Sequence, residues 1–204
     1  NARGAAAFDG GADYPSGVFQ YNQAGEIVPA THQLDHIDAS PSRFGFALQF
    51  AIDRRTAEPT KNILFVPRAE GGTGFAANDW NKGDANYTAL VNDANAACIA
   101  AGVPSVTGIL WHQGEADSNH AATYKAKLKT MISDMRSEII GATDETPMVL
   151  GGLFSSASLD PITDLIDDIP NEVGYTAFVD ASDLPSLGDN VHFSASSLRT
   201  LGTR

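Results

Sequence analysis

The amino-acid sequence predicts an α/β protein whose parallel sheet is covered by helices on both sides. Short β-branched or apolar runs alternate with amphipathic stretches along the chain. Each run is nearly continuous in apolar character, as strands buried on both faces are. The stretches between them carry the 3.6-residue period and the terminal signals of helices. Strands that alternate with helices close into a parallel sheet through crossover connections.

Four runs read as strands, at residues 62–66, 106–111, 148–153 and 175–179. Ser40-Pro41 reads as an N-cap followed by proline at the first helical position, with Phe44, Ala47, Leu48 and Ala51 on one face. Tyr87, Leu90, Val91, Ala94, Cys98 and Ala101 keep helical spacing up to Gly102, which puts Cys98 in the core. A longer helix turns Tyr124, Leu128, Met131, Ile132, Met135 and Ile139 inward, keeps Lys125, Lys127 and Lys129 wet, and stops at Gly141. Asp160-Pro161 opens a helix with Ile162, Leu165, Ile166 and Ile169 on its face, and Ser194 caps a last one holding Leu198 and Leu201. The first forty or so residues are less regular. Asp9-Gly10-Gly11 reads as loop, and residues 17–21 as a weak strand or edge element. No repeat or linker divides the chain, so residues 1–204 are expected to form a single domain.

Composition narrows the function classes. Thirteen Lys and Arg against 25 Asp and Glu leave a net charge of −12, with a pI near 4.6. That balance argues against nucleic acid, since phosphate needs a basic footprint. No apolar stretch reaches the roughly 18 residues of a membrane span, so no membrane partner is expected. A single cysteine rules out an internal disulfide and a cysteine-built zinc site. The chain does not open on a signal peptide, but a processed one would leave no trace. The compartment stays open, with a secreted or periplasmic location favoured over the cytoplasm.

Ligands of an open parallel sheet bind at the carboxyl ends of its strands. Pro67-Arg-Ala-Glu-Gly-Gly-Thr-Gly-Phe75 follows the first predicted strand and Trp111-His-Gln-Gly-Glu-Ala-Asp117 the second. Gly71 to Gly74 lacks the pattern and the basic residue of a phosphate cradle. It reads either as a tight turn or as backbone N–H groups brought close to a ligand. Gln113 and Glu115 set an amide donor and a carboxylate at the sheet rim, and an amide can donate to a developing oxyanion. Two other readings of this stretch stand beside that one. In the first, His112, Glu115, Asp117 and His120 ligate a metal, although they do not match His-Glu-x-x-His. In the second, the loop merely caps the next helix through Asp117 or Ser118.

Asp189-Asn-Val-His192 supplies a further candidate. An Asp three residues before a His can hold the imidazole at Nδ1 and leave Nε2 as a general base. The spacing alone is weak, since Asp117-x-x-His120 repeats it. His32 and His36 read as surface or structural residues. No Gly-x-Ser-x-Gly elbow occurs, so base, orienter and oxyanion donors have candidates while the nucleophile has none.

Together, Trp111-His-Gln-Gly-Glu-Ala-Asp117, Gly71-Gly72-Thr73 and Asp189-x-x-His192 resemble the sialate O-acetylesterase-like (carbohydrate esterase family 6) branch of the SGNH/GDSL hydrolases. The resemblance runs over essentially the whole chain, including residues 17–21, Leu34-Asp-His36 and residues 50–53. It implies a flavodoxin-like three-layer sandwich with a doubly wound parallel sheet. It also implies a serine esterase that removes O-acetyl groups from carbohydrates without metal or cofactor.

Carried over by that resemblance, His192 is the general base and Asp189 its orienter. The oxyanion donors are the N–H of Gly71 or Gly72 and the Gln113 side chain. Glu115 and Asp117 fix loops around the site, and Arg68 contacts substrate. Asn1 would be a remnant of the Gly-Gln-Ser-Asn motif, which puts the nucleophilic Ser immediately before Asn1. The first, central strand would precede the 204 residues as well. Numbering that starts late, a removed segment, or a separate N-terminal segment carrying the nucleophile would each account for this. The alternative is a catalytically inactive carbohydrate-binding domain or pseudoenzyme on the same fold.

Overall fold

Six strands fall into two three-stranded sheets in the computed structural model, which describes residues 2–38, 40 and 42–204. The chain divides into two compact units. Unit 1 takes the residues up to Gly71 together with Leu184–Arg204, and unit 2 takes Gly72–Asp183.

Unit 1 holds β1 (Val18–Tyr21), β2 (Ile27–Pro29), α1 (Ala47–Ala57), β3 (Ile63–Phe65) and, after unit 2, α6 (Ala195–Thr203). Its sheet runs β2-β1-β3, with β1 antiparallel to β2 and parallel to β3. Residues 17–21, expected as a weak strand or edge element, contain a strand that lies in the middle of the three. The sequence hid β2 because its three residues are mostly exposed and end in proline. The turn before it closes through Asn22 and Glu26, with Gly25 at φ 80°. Val18, Phe44, Leu48, Ala51, Phe193 and Leu198 form the core of this unit.

Helix α1 opens at Ala47 rather than near Ser40, and Pro41, the expected first helical residue, lies outside the described residues. Phe44 is buried ahead of the helix, where its carbonyl crowds the α-carbon of Gly4. The Ser194 hydroxyl accepts the Ser197 N–H at 3.2 Å and caps α6, as its position suggests. α6 packs on α1, and Gly202 allows the approach, because a Cβ there would sit 2.3 Å from the Phe46 carbonyl oxygen. Arg199 of α6 grips Asp9 through Nε and Nη2, each at 2.6 Å, and lies 5.3 Å over the Phe44 ring.

Unit 2 holds α2 (Ala85–Ala101), β4 (Ile109–Trp111), α3 (Ala121–Glu138), β5 (Met148–Gly151), α4 (Asp160–Asp167), α5 (Ile169–Glu172) and β6 (Thr176–Val179). Its strands run β4-β5-β6, all parallel, with α3 and then α4 and α5 as the crossovers. Tyr124, Leu128, Met131, Ile132 and Met135 of α3 bury the predicted face in a cluster with Leu150, Ile162 and Ile166. α2 ends at Gly102, whose φ of 67° is the left-handed cap expected of a terminal glycine. Cys98 is buried, and burial pushes its thiol pKa up, away from reactivity.

Three other expectations shift. α3 ends at Glu138, because Ile139 turns extended two residues before the predicted stop at Gly141. Ile169 belongs to the separate turn α5, since Pro170 cannot continue the ladder of α4. The residues of β3 are half-buried, as are the first two of β4, although continuous apolar character predicts full burial. Each of these strands sits at an edge of its own sheet and has one neighbour there among the described residues. No helix among the described residues is long and apolar enough to cross a membrane.

Candidate active site

The His192 ring is fixed by a short loop of unit 1. Asp189 Oδ1 accepts the N–H of Val191 at 3.0 Å and of His192 at 2.8 Å, with Asn190 between them in the left-handed region at φ 59°. Asp and Asn tolerate this turn because their short side chains bond the local backbone. Leu187 N–H donates to the His192 carbonyl, and the fully buried Phe193 anchors the far side. Asp189 Oδ2 is thereby left 2.7 Å from His192 Nδ1. Acceptance by a carboxylate requires Nδ1 to carry a proton, and in the neutral ring that leaves the lone pair on Nε2. Burial alone would raise the Asp189 carboxyl. The His192 and Val191 N–H groups and the imidazole outweigh it and hold the pKa at about 2.

Beyond β3, unit 1 contains Arg68, Gly71 and a clamp that no sequence motif announces. Arg68 is half-buried with its Nε shielded from solvent. The Gly71 N–H donates to Asp38 Oδ2 at 3.2 Å, and Asp38 Oδ1 pairs with Arg3 Nε at 3.1 Å. Ile37 N–H donates to the Ala69 carbonyl at 3.1 Å, tying the same two segments together. His36, just before them, is buried; desolvation lowers its pKa to about 4. Arg3 and Asp38 carry no motif and lie far from Gly71 in sequence, so only folding brings the three together.

In unit 2 the chain after Gly72 is fastened from β4. The Asp117 carboxylate, 1% exposed, accepts the N–H of Phe75 at 3.0 Å and of Ala76 at 2.8 Å. A Cβ on Gly74 would sit 2.6 Å from the same carboxylate, so only glycine lets the loop come this near. Gln113 Nε2 donates to Asp117 Oδ2 at 2.8 Å and to the Thr73 carbonyl at 3.1 Å. Two acceptors on that nitrogen fix the amide's orientation. The Trp80 indole N–H donates to the Thr73 hydroxyl and Gly74 N–H to Asp79, two supports with no sequence motif. Gly72 sits at φ 75°, exposed, and its N–H has no partner among the described residues.

Glu115 opens the one-turn 3-10 segment Glu115–Asp117, with an oxygen 3.9 Å from His112 Nδ1. His112 is buried and donates Nε2–H to the Gly152 carbonyl at 3.0 Å, and desolvation lowers its pKa to about 4. Neither Asp117 nor Ser118 caps α3, whose N-cap is His120. His112, Glu115, Asp117 and His120 do not converge: among the described residues, no three His, Cys, Asp or Glu side chains are grouped to hold a metal. Asn1 lies outside the described residues.

The chain matches a known class. The family model of the carbohydrate esterases, sialic acid-specific acetylesterase (SASA), matches residues 8–204. The chain belongs to this family, and by class it is a carbohydrate O-acetylesterase. Among solved structures, a protein from Arabidopsis thaliana superposes with a TM-score of 0.81 at 22% identity, over 94% of this chain and 79% of that one. NanS gives 0.77 at 18%, over 95% and 86%. A carbohydrate acetylesterase from Xanthomonas citri gives 0.62 at 16%, over 91% of this chain and 46% of that one. These likenesses establish the α/β fold, and with the family model they fit the SGNH hydrolase fold. A search of curated proteins gave no match.

Proposed function

We propose that the chain hydrolyses O-acetyl esters of carbohydrates by a serine mechanism in which His192 is the general base and Asp189 its orienter. The observation that carries this reading is the 2.7 Å bond between Asp189 and His192 Nδ1, on a loop that also fixes the ionised carboxylate.

In this mechanism, the nucleophile is a serine immediately ahead of Asn1, as the resemblance of Asn1 to the end of a Gly-Gln-Ser-Asn motif suggests. His192 Nε2 takes its proton as Oγ attacks the acetyl carbonyl carbon. The imidazolium, stabilised by Asp189, then returns the proton to the departing sugar oxygen. Water repeats the attack on the acetyl-serine and releases acetate. The oxyanion is held by the serine N–H and by the Gly72 N–H, which has no partner among the described residues to give up. Gln113 contributes by turning one N–H from the Thr73 carbonyl, the longer of its two bonds, as charge develops. Asp117 and Glu115 hold the loops, and Arg68 faces the sugar. We place the activity in a secreted or periplasmic setting.

The test is acetate release from acetylated sugars, or from a chromogenic acetate ester, by the full-length protein. His192→Ala abolishes turnover on this reading, and retained activity in that variant overturns it. One organophosphonate adduct by intact mass supports the serine. An unlabelled protein that still binds acetylated sugar is instead the inactive binding domain.

A further inference from the structure

We propose, resting on the esterase reading above, that Asp38 and Arg3 are positioning residues that hold Gly71 so that Gly72 becomes the backbone oxyanion donor. The argument is an accounting of polar groups in the segment that follows β3. The Ala69 carbonyl is taken by Ile37 N–H at 3.1 Å. The Gly71 N–H is taken by Asp38 Oδ2 at 3.2 Å. The second carboxylate oxygen is held by Arg3 Nε at 3.1 Å, so Asp38 is pinned on both oxygens.

Arg3 acts on Gly71 a second time. A Cβ on Gly71 would lie 2.2 Å from an Arg3 terminal nitrogen and 2.9 Å from its Cζ. The guanidinium therefore lies flush against the α-carbon, and any larger residue at 71 would push it off Asp38. Gly71 is gripped through its N–H and supported from beneath, which sets the direction of the next peptide plane. That plane carries the Gly72 N–H, which has no partner among the described residues. Recruiting Gly71 instead would mean breaking a charge-assisted hydrogen bond. Asp38 and Arg3 thus select between two adjacent glycines without touching the reacting atoms.

The experiment compares Asp38→Ala and Asp38→Asn in the full-length enzyme with a chromogenic acetate ester. Thermal midpoints are measured alongside. Asp38→Ala is expected to lower kcat about 10- to 100-fold with KM within about twofold, part of the loss typical of removing such a donor. Asp38→Asn, whose side-chain oxygen still accepts the Gly71 N–H, is expected to recover most of that loss. Wild-type kcat in Asp38→Ala overturns the proposal. So does a change in KM alone, or equal losses in both variants that follow their thermal midpoints. A wild-type protein that neither releases acetate nor takes up an organophosphonate sinks the esterase reading and this role together. An active wild type with an unimpaired Asp38→Ala sinks the positioning role alone.

Discussion

The Asp117 carboxylate receives the backbone N–H of Phe75, 42 positions earlier in the chain, at 3.0 Å in a fully buried setting. The same carboxylate holds Ala76 and the Gln113 amide, so removing it strands three donors at once. Asp117→Ala is expected to cost about 2–4 kcal/mol, given the cost of leaving buried donors unpaired. In a chain of this length that lowers the thermal midpoint by roughly 4–16 °C. Differential scanning calorimetry measures it, and a loss below about 1 kcal/mol would mean that water replaces the carboxylate.

Asp189→Asn tests the tautomer argument. Asparagine preserves the shape of the turn but can offer its own N–H to Nδ1, which then becomes an acceptor and leaves the proton on Nε2. A fall in kcat of about 10³- to 10⁴-fold is expected, by analogy with the same change in serine proteases. The pH dependence has a definite sign. The Asp189 carboxyl is held at about 2, below its ordinary 3.8. Its contribution to stability is therefore present above pH 3.8 and is lost as pH falls through 2. Acid titration of wild type and Asp189→Asn should give curves that differ above pH 4 and converge near pH 2.

The buried histidines act in a higher window. Desolvation, the largest cause for both His36 and His112, lowers each pKa from 6.5 to about 4. The unfolded chain then binds more protons than the folded one between those values. Stability is full above pH 6.5 and falls as pH drops towards 4, with a limiting slope of about 1.4 kcal/mol per pH unit for each histidine. Urea unfolding at pH 7, 6 and 5 should show the decline, and His36→Asn with His112→Asn should flatten it.

Gly202→Ala probes the seat of α6. The added methyl meets the Phe46 carbonyl oxygen at 2.3 Å and the Phe50 nitrogen at 2.9 Å, both backbone atoms of the α1 region that cannot rotate away. Overpacking of this kind costs about 1–3 kcal/mol. Urea denaturation should show it, and an unchanged midpoint would mean that the two helices slide apart freely.

Local signals made the helices legible. The spacing of Tyr124 to Met135 and the glycine at 102 report backbone periodicity and capping, which need no knowledge of distant residues. The strand β2 was invisible because pairing with β1, rather than its own three residues, makes it a strand. The start of α1 lies later than its local signal, because Ser40-Pro41 has the chemistry of a helix start while the chain turns helical only at Ala47. Within the candidate site, the pairing of Asp189 with His192 is legible because they sit three apart and share one turn. The Arg3–Asp38–Gly71 clamp was not, since its members are separated by 33 residues or more and are ordinary in composition. Gln113 was legible as a polar residue at a strand end, but its attachment to Thr73 and Asp117 depends on the loop that only the fold brings back.

Arg199 and Asp9, 190 positions apart, also set an order of events during synthesis. Unit 2 is continuous from Gly72 to Asp183 and can gather its core while still tethered to the ribosome. Unit 1 must wait for Leu184–Arg204 before α6 can seat on α1. Asp189 and His192 emerge within that late stretch. A nascent chain stopped short of Leu184 therefore lacks both α6 and the Asp189–His192 turn, and unit 1 cannot close its core on α1 without them.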